Sequence, residues 1–87
     1  MPRISAFFGI DIYMYWNEAS HATPHFHAHQ GGHRASISVD GAILAGALEA
    51  RALSLVREWS GLHREELLTN WERARRLEQL QPIAPLQ

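Results

Sequence analysis

Apolar and polar positions alternate along the first sixteen residues. The even positions read Ile4, Ala6, Phe8, Ile10, Ile12, Met14 and Trp16, while the odd ones include Ser5, Gly9, Asp11, Tyr13 and Tyr15. A period of two puts one set on one face of a pleated strand, so this stretch predicts one half-buried strand or two strands bent near Gly9. A polar loop over 17–24 follows, in which Pro24 biases Thr23 toward extended backbone. Alternation resumes at His25-Phe26-His27-Ala28-His29-Gln30, stops at Gly31-Gly32, and runs again from His33 to Val39. Two glycines suit a two-residue hairpin, because both can take positive φ. Asp40-Gly41 is a second turn signal, and Ala42 to Ala47 predicts a returning strand.

The Gly31-Gly32 turn also predicts a register. It pairs Gln30 with His33, His29 with Arg34, Ala28 with Ala35, His27 with Ser36, Phe26 with Ile37 and His25 with Ser38. One face then collects Phe26, Ala28, Ala35 and Ile37. The other collects His25, His27, His29, Arg34, Ser36 and Ser38. A slip of one residue would mix the faces, so the clean sorting supports this pairing.

The period changes after Ala47. Leu48, Ala52, Leu55, Val56 and Trp59 form an apolar stripe of helical spacing, which Ser60-Gly61 is expected to close with Gly61 as a left-handed cap. A second helix is expected from about His63 to Leu80, with Leu67, Trp71, Ala74 and Leu77 on one side. Glu65 and Glu66 in its first turn, and Arg73, Arg75 and Arg76 toward its end, suit the helix dipole. The prediction is an α+β fold, with four to five antiparallel strands followed by a C-terminal helical hairpin packed on one face. The histidine face is left open. Residues 1–80 form a single domain, and 81–87, which holds Pro82 and Pro85, is a tail that is loose or docks on a partner.

Length and charge narrow the picture. Eighty-seven residues make one domain with a modest core. A net charge of -1 supplies no broad positive field to gather nucleic acid, and Arg73, Arg75 and Arg76 read as a solvated helix surface beside Glu72 and Glu78. Protonating the histidines would reverse the sign, which makes any RNA or nucleotide affinity pH-dependent. There is no cysteine, so disulfides, thiolate metal sites and cysteine nucleophiles are excluded. There is no lysine either, which removes Schiff-base chemistry. The opening Met1-Pro2-Arg3-Ile4-Ser5 lacks the apolar run of a signal peptide, and no segment approaches the ~20 apolar residues of a membrane span. The expectation is a cytoplasmic protein.

The candidate chemistry sits in the histidine row. Five of the chain's six histidines fall between His21 and His33. Two imidazoles at i and i+2 on a strand can share one ion, and neutral imidazole suits zinc, nickel or copper. His25, His27 and His29 are the first ligand set; His21 or Glu18 are alternative third ligands. Metal-independent chemistry uses the same face differently. His25 and His27 would act as base and acid, Arg34 would neutralise developing charge, and Ser36 or Ser38 would position an oxygen. That is the chemistry of a nuclease or phosphoesterase. The plain alternative is a polar strand face with no chemistry. His63 is expected at a helix start in a surface or capping role. Tyr13, Tyr15 and Trp16 are expected to pack on the strand face, and Trp59 and Trp71 in the core.

Several segments together carry a family resemblance. They are Met1-Pro2-Arg3-Ile4-Ser5, Gly9-Ile10, Met14-Tyr15-Trp16-Asn17, the hallmark Pro24-His25-Phe26-His27-Ala28, Arg51-Ala52-Leu53 with Val56-Arg57-Glu58-Trp59, and His63-Arg64-Glu65-Glu66-Leu67-Leu68 with Asn70-Trp71. In this order they resemble a bacterial family known as domain of unknown function 4160. The resemblance implies a short accessory protein that acts with a cognate small protein from an adjacent gene, in the manner of a toxin–antitoxin pair. Apart from the resemblance, large apolar side chains that a modest core cannot bury suggest a homodimer, and the lack of a long apolar run predicts no membrane partner. The hallmark includes His25 and His27. His29 stands where a non-histidine commonly follows, and the loop around His21 is longer than in relatives, so the resemblance implies a centre of His25 and His27.

Overall fold

Alternation and helical stripe both become the elements they predict. The computed structural model describes residues 2–18 and 23–87. Its strands are β1 (Arg3–Phe7), β2 (Ile10–Tyr13), β3 (His25–Gln30), β4 (His33–Ser38) and β5 (Ile43–Ala47), followed by helices α1 (Ala50–Leu62) and α2 (Arg64–Arg75). The five strands form one sheet in the order β1-β2-β3-β4-β5, and every neighbouring pair is antiparallel. This is an α+β fold with its helices after the sheet. No helix among the described residues is long and apolar enough to cross a membrane.

The β3–β4 hairpin takes the register set out above, pair for pair, from His25 opposite Ser38 to Gln30 opposite His33. Phe26, Ala28, Ala35 and Ile37 are accordingly buried together. The first hairpin departs from strict alternation. Phe8 and Gly9 form its two-residue turn, with φ of 49° and 77°, the double positive φ that twisted hairpins favour. That turn lifts Phe8 out of the apolar row, and Phe7 is buried instead. A register irregularity between Arg3 and Ser5 shifts the phase, so Ile4 and Phe7 both reach the core although an odd number of steps separates them. On β5, Gly46 has φ of 77° and sits so close to β4 that a Cβ would collide with the Arg34 carbonyl.

The helices lay Ala52, Val56, Trp59, Leu67 and Ala74 on the apolar face of the sheet. Their ends differ from expectation. Ser60 and Gly61 lie inside α1, which continues to Leu62, and Gly61 is not left-handed. The second helix ends at Arg75 rather than near Leu80. It closes with Glu78 N–H donating to the Arg73 carbonyl (2.8 Å) and Leu77 N–H to the Ala74 carbonyl (3.2 Å), the paired pattern of a left-handed helix stop. Leu77 supplies the left-handed residue at φ 57° and is 78% exposed. A side chain in that conformation costs roughly 1–2 kcal/mol, part of which glycine recovers. Leu77→Gly is therefore expected to stabilise the protein by about 1 kcal/mol and to raise its melting temperature by about 4–8 °C. A thermal melt showing no gain would contradict this account of the helix stop.

The segment after α2 is not loose. Leu80, Ile83 and Leu86 are buried and the residues between them are exposed. Every third residue faces inward, the repeat of an extended polyproline-type chain, which Pro82 and Pro85 favour. Three hydrogen-bonding positions clip it to the domain. Asn70, fully buried, donates to the Gln81 carbonyl (2.8 Å) and accepts from the Gln81 N–H (3.0 Å). Ile83 N–H donates to the Ile4 carbonyl (2.7 Å), and the Trp59 indole N–H to the Ala84 carbonyl (2.9 Å).

Candidate functional site

The alternation of β3 aims His25, His27 and His29 away from Phe26 and Ala28, as a strand must. What lies over that row differs from end to end. After β2 the chain makes a 3₁₀ turn at Trp16–Glu18. The Trp16 indole N–H donates to the Glu78 carbonyl at 2.7 Å, which ties this turn to the end of α2. It delivers the Glu18 carboxylate onto the row. The Trp71 ring from α2 packs on the His25 ring, with centroids 5.1 Å apart. His25 is only 8% exposed. The face is therefore covered at its His25 end, and only the part from His27 to Arg34 is open, because the 3₁₀ turn and α2 close over the remainder.

The hydrogen bonds of His25 fix its tautomer. Its Nδ1 lies 2.8 Å from the Thr23 carbonyl oxygen. A carbonyl only accepts, so Nδ1 carries the proton of this bond. Pro24 restricts the backbone of Thr23, the residue that presents this acceptor. The other nitrogen, Nε2, lies 3.2 Å from Glu18 Oε1. In neutral His25 that nitrogen bears a lone pair, and the carboxylate oxygen bears lone pairs too. His27 points Nε2 at the same Oε1 at 2.7 Å. Its Nδ1 lies 3.2 Å from Ser36 Oγ, the residue directly across on β4.

Glu18, His25 and His27 thus bring three potential ligand atoms within 4.8 Å of one another. Metal–ligand bonds of about 2.0–2.2 Å place two ligands of one ion roughly 3 Å apart, which matches the 3.2 Å and 2.7 Å from Glu18 Oε1 to the two imidazole nitrogens. Glu18 takes the third place that the histidine row alone would give to His29. The ring of His29 packs instead on Tyr13, centroids 4.7 Å apart, and His29 is not among the three clustered atoms. Burial pushes the His29 pKa down, the neighbouring Arg34 and His27 push it further, and Asp11 opposes them. His21 lies outside the described residues.

Beyond His27 the open part of the face is a groove of about 440 Å³, walled by Tyr15, His27, His29, Arg34 and Ser36. The Tyr15 ring meets the His27 ring edge-on at 4.9 Å and stacks with Tyr13 at 6.2 Å. Burial raises the Tyr15 pKa, with Tyr13 and Glu18 adding to the effect and Arg34 opposing it, so its hydroxyl keeps its proton. The two proposed polar partners, Arg34 and Ser36, are both in this groove, and Ser38 is buried at the covered end. Trp71, Thr23 and Tyr15 are the members that alternation alone does not reveal. Trp71 reads as core from its helical stripe, the Thr23 contribution is a backbone atom, and Tyr15 reads as packing on the strand face.

No curated protein and no solved structure matches this chain. The model of the family described as Domain of unknown function (DUF4160) matches residues 9–72, most of the chain and the whole of the site, and the protein belongs to that family.

Proposed function

We propose that this protein is a transition-metal-binding module whose ion is held by Glu18 Oε1, His25 Nε2 and His27 Nε2. The observation that carries the reading is the His25–Glu18 contact. With Nδ1 committed to the Thr23 carbonyl, the close approach of Nε2 to a carboxylate oxygen requires a cation between or upon them. A proton on Nε2 would meet the requirement at His25. A metal ion meets it at all three atoms together, and a ligating imidazole commonly donates its other N–H to a carbonyl, as His25 does. Two imidazoles and one carboxylate suit zinc, and such a set leaves coordination positions for water or substrate.

The same geometry argues against the metal-independent phosphoesterase. Both Nε2 atoms turn to Glu18 and the His27 Nδ1 turns to Ser36. Neither imidazole presents a nitrogen to the groove as base or acid. Equilibrium dialysis with elemental analysis of untagged protein tests the proposal. One zinc per chain is expected in the wild type, and Glu18→Gln with His27→Ala is expected to abolish binding. Wild-type protein that retains no zinc, nickel or copper ends the metal reading.

A second reading concerns the partner implied by the family resemblance, and β5 supports it. This strand ends the sheet, every one of its residues is exposed, and Ile43 and Leu44 are 40% and 49% exposed. An apolar edge without charge is a template for an added strand. We propose that a strand of the small protein from the adjacent gene pairs there, in a toxin–antitoxin-like complex. Co-expression should give a complex that Leu44→Lys disrupts, and failure of the two proteins to associate removes this reading.

A further inference from the structure

We infer that the groove beside His27 binds the phosphoryl group of a small phosphate ester, and that loading the metal centre strengthens this binding through Ser36. The inference rests on the metal reading above. Four features of the groove point to an oxyanion. Arg34 is its one permanently charged wall residue among the described residues, and no carboxylate lines it. The Arg34 guanidinium makes no ion pair with any described residue, unlike Arg3, Arg64 and Arg75, which pair with Asp11, Asp40 and Glu72. A planar guanidinium fork suits two oxygens of one phosphoryl group. Ser36 brings a hydroxyl to the same space. A volume of about 440 Å³ exceeds a bare ion and falls in the range of small-molecule sites. The Tyr15 ring offers an apolar surface for the organic part of the ester.

Ser36 connects the groove to the metal centre. Without metal, the tautomer with its proton on Nε2 lets His27 donate to Glu18, which leaves Nδ1 bare. The Ser36 hydroxyl then donates to Nδ1 across 3.2 Å, and its proton is unavailable to a ligand. When a metal takes Nε2, the imidazole proton resides on Nδ1 instead. Nδ1 now donates to Ser36 Oγ, and the hydroxyl proton turns free toward the groove. Metal binding therefore converts Ser36 from a spent donor into an available one, and adds positive charge beside the phosphoryl position. By linkage, a bound phosphate ester must tighten the metal by the same factor.

Calorimetric titration with phenyl phosphate, run on zinc-saturated and metal-free protein, tests this. Zinc-loaded wild type should bind it at least about fivefold more tightly than metal-free protein, the value of one hydrogen bond. Arg34→Gln should weaken phenyl phosphate by about tenfold or more while zinc stoichiometry stays at one. Ser36→Ala, measured at saturating zinc, should shrink the zinc-dependent gain by about fivefold. Benzoate should bind more weakly than phenyl phosphate in every form. Zinc-loaded wild type that ignores phenyl phosphate, or binds it equally with and without zinc or with Arg34→Gln, overturns the inference and leaves the metal reading standing. Protein that binds no metal overturns both, because the coupling claimed here then has no source.

Discussion

Zinc at one hundred times its dissociation constant is expected to stabilise the wild-type protein by about 2.7 kcal/mol, through mass action on the folded state alone. In a domain of this size that corresponds to a rise in melting temperature of roughly 10–20 °C. The effect is large because Glu18 and His27 lie nine residues apart in sequence and meet only on folding, so the unfolded chain offers no assembled site. A chelator should reverse the rise. Lower pH should reduce it, because protons and metal compete for the same imidazole nitrogens. His27→Ala and Glu18→Gln should each lose the zinc-dependent rise, whatever they do to the metal-free melt. A wild-type melt unmoved by zinc, nickel and copper would sink this prediction.

Trp59→Ala should destabilise the protein by about 3–5 kcal/mol, the usual loss for a buried large aromatic. Trp59 is fully buried between the sheet and the C-terminal segment. Its ring lies 5.3 Å from Phe7 and 5.7 Å from Phe26, centroid to centroid. Its indole N–H holds the Ala84 carbonyl, so truncation also releases the segment that carries Leu86. A small domain has only about 5–15 kcal/mol of net stability, so this variant should be largely unfolded at mild denaturant concentrations. Trp59→Phe separates the two contributions. It keeps most of the packing and loses the donor, and should cost about 1–2 kcal/mol. Urea unfolding measures both, and a loss under 1 kcal/mol for Trp59→Ala would contradict this placement of the core.

The β3–β4 hairpin is legible in the sequence because two independent signals agree there. Alternation sorts Phe26 and Ile37 from His27 and Ser36, and Gly31-Gly32 fixes where the chain reverses. The first hairpin is only half legible. Nothing in the residue types marks Phe8 as a turn residue, since side chains at that φ are disfavoured, and the phase shift near Ile4 depends on how β1 meets β2. The end of α2 misleads for a related reason. Leu77 continues the apolar stripe, yet it serves as the left-handed stop, a position that glycine usually marks. At the site, alternation brings His25 and His27 together, but the third group depends on a tertiary contact. His29, His21 and Glu18 are equivalent candidates by residue type, and only the tie from Trp16 to Glu78 brings Glu18 forward.

The clip that joins Ile83 to Ile4 has a consequence for biosynthesis. The first strand of the sheet and the apolar ridge after α2 are far apart in sequence, so nascent chain leaving the ribosome carries an incomplete interior until Leu86 has emerged. Until that moment the uncovered apolar surface of the sheet is a natural client for a chaperone.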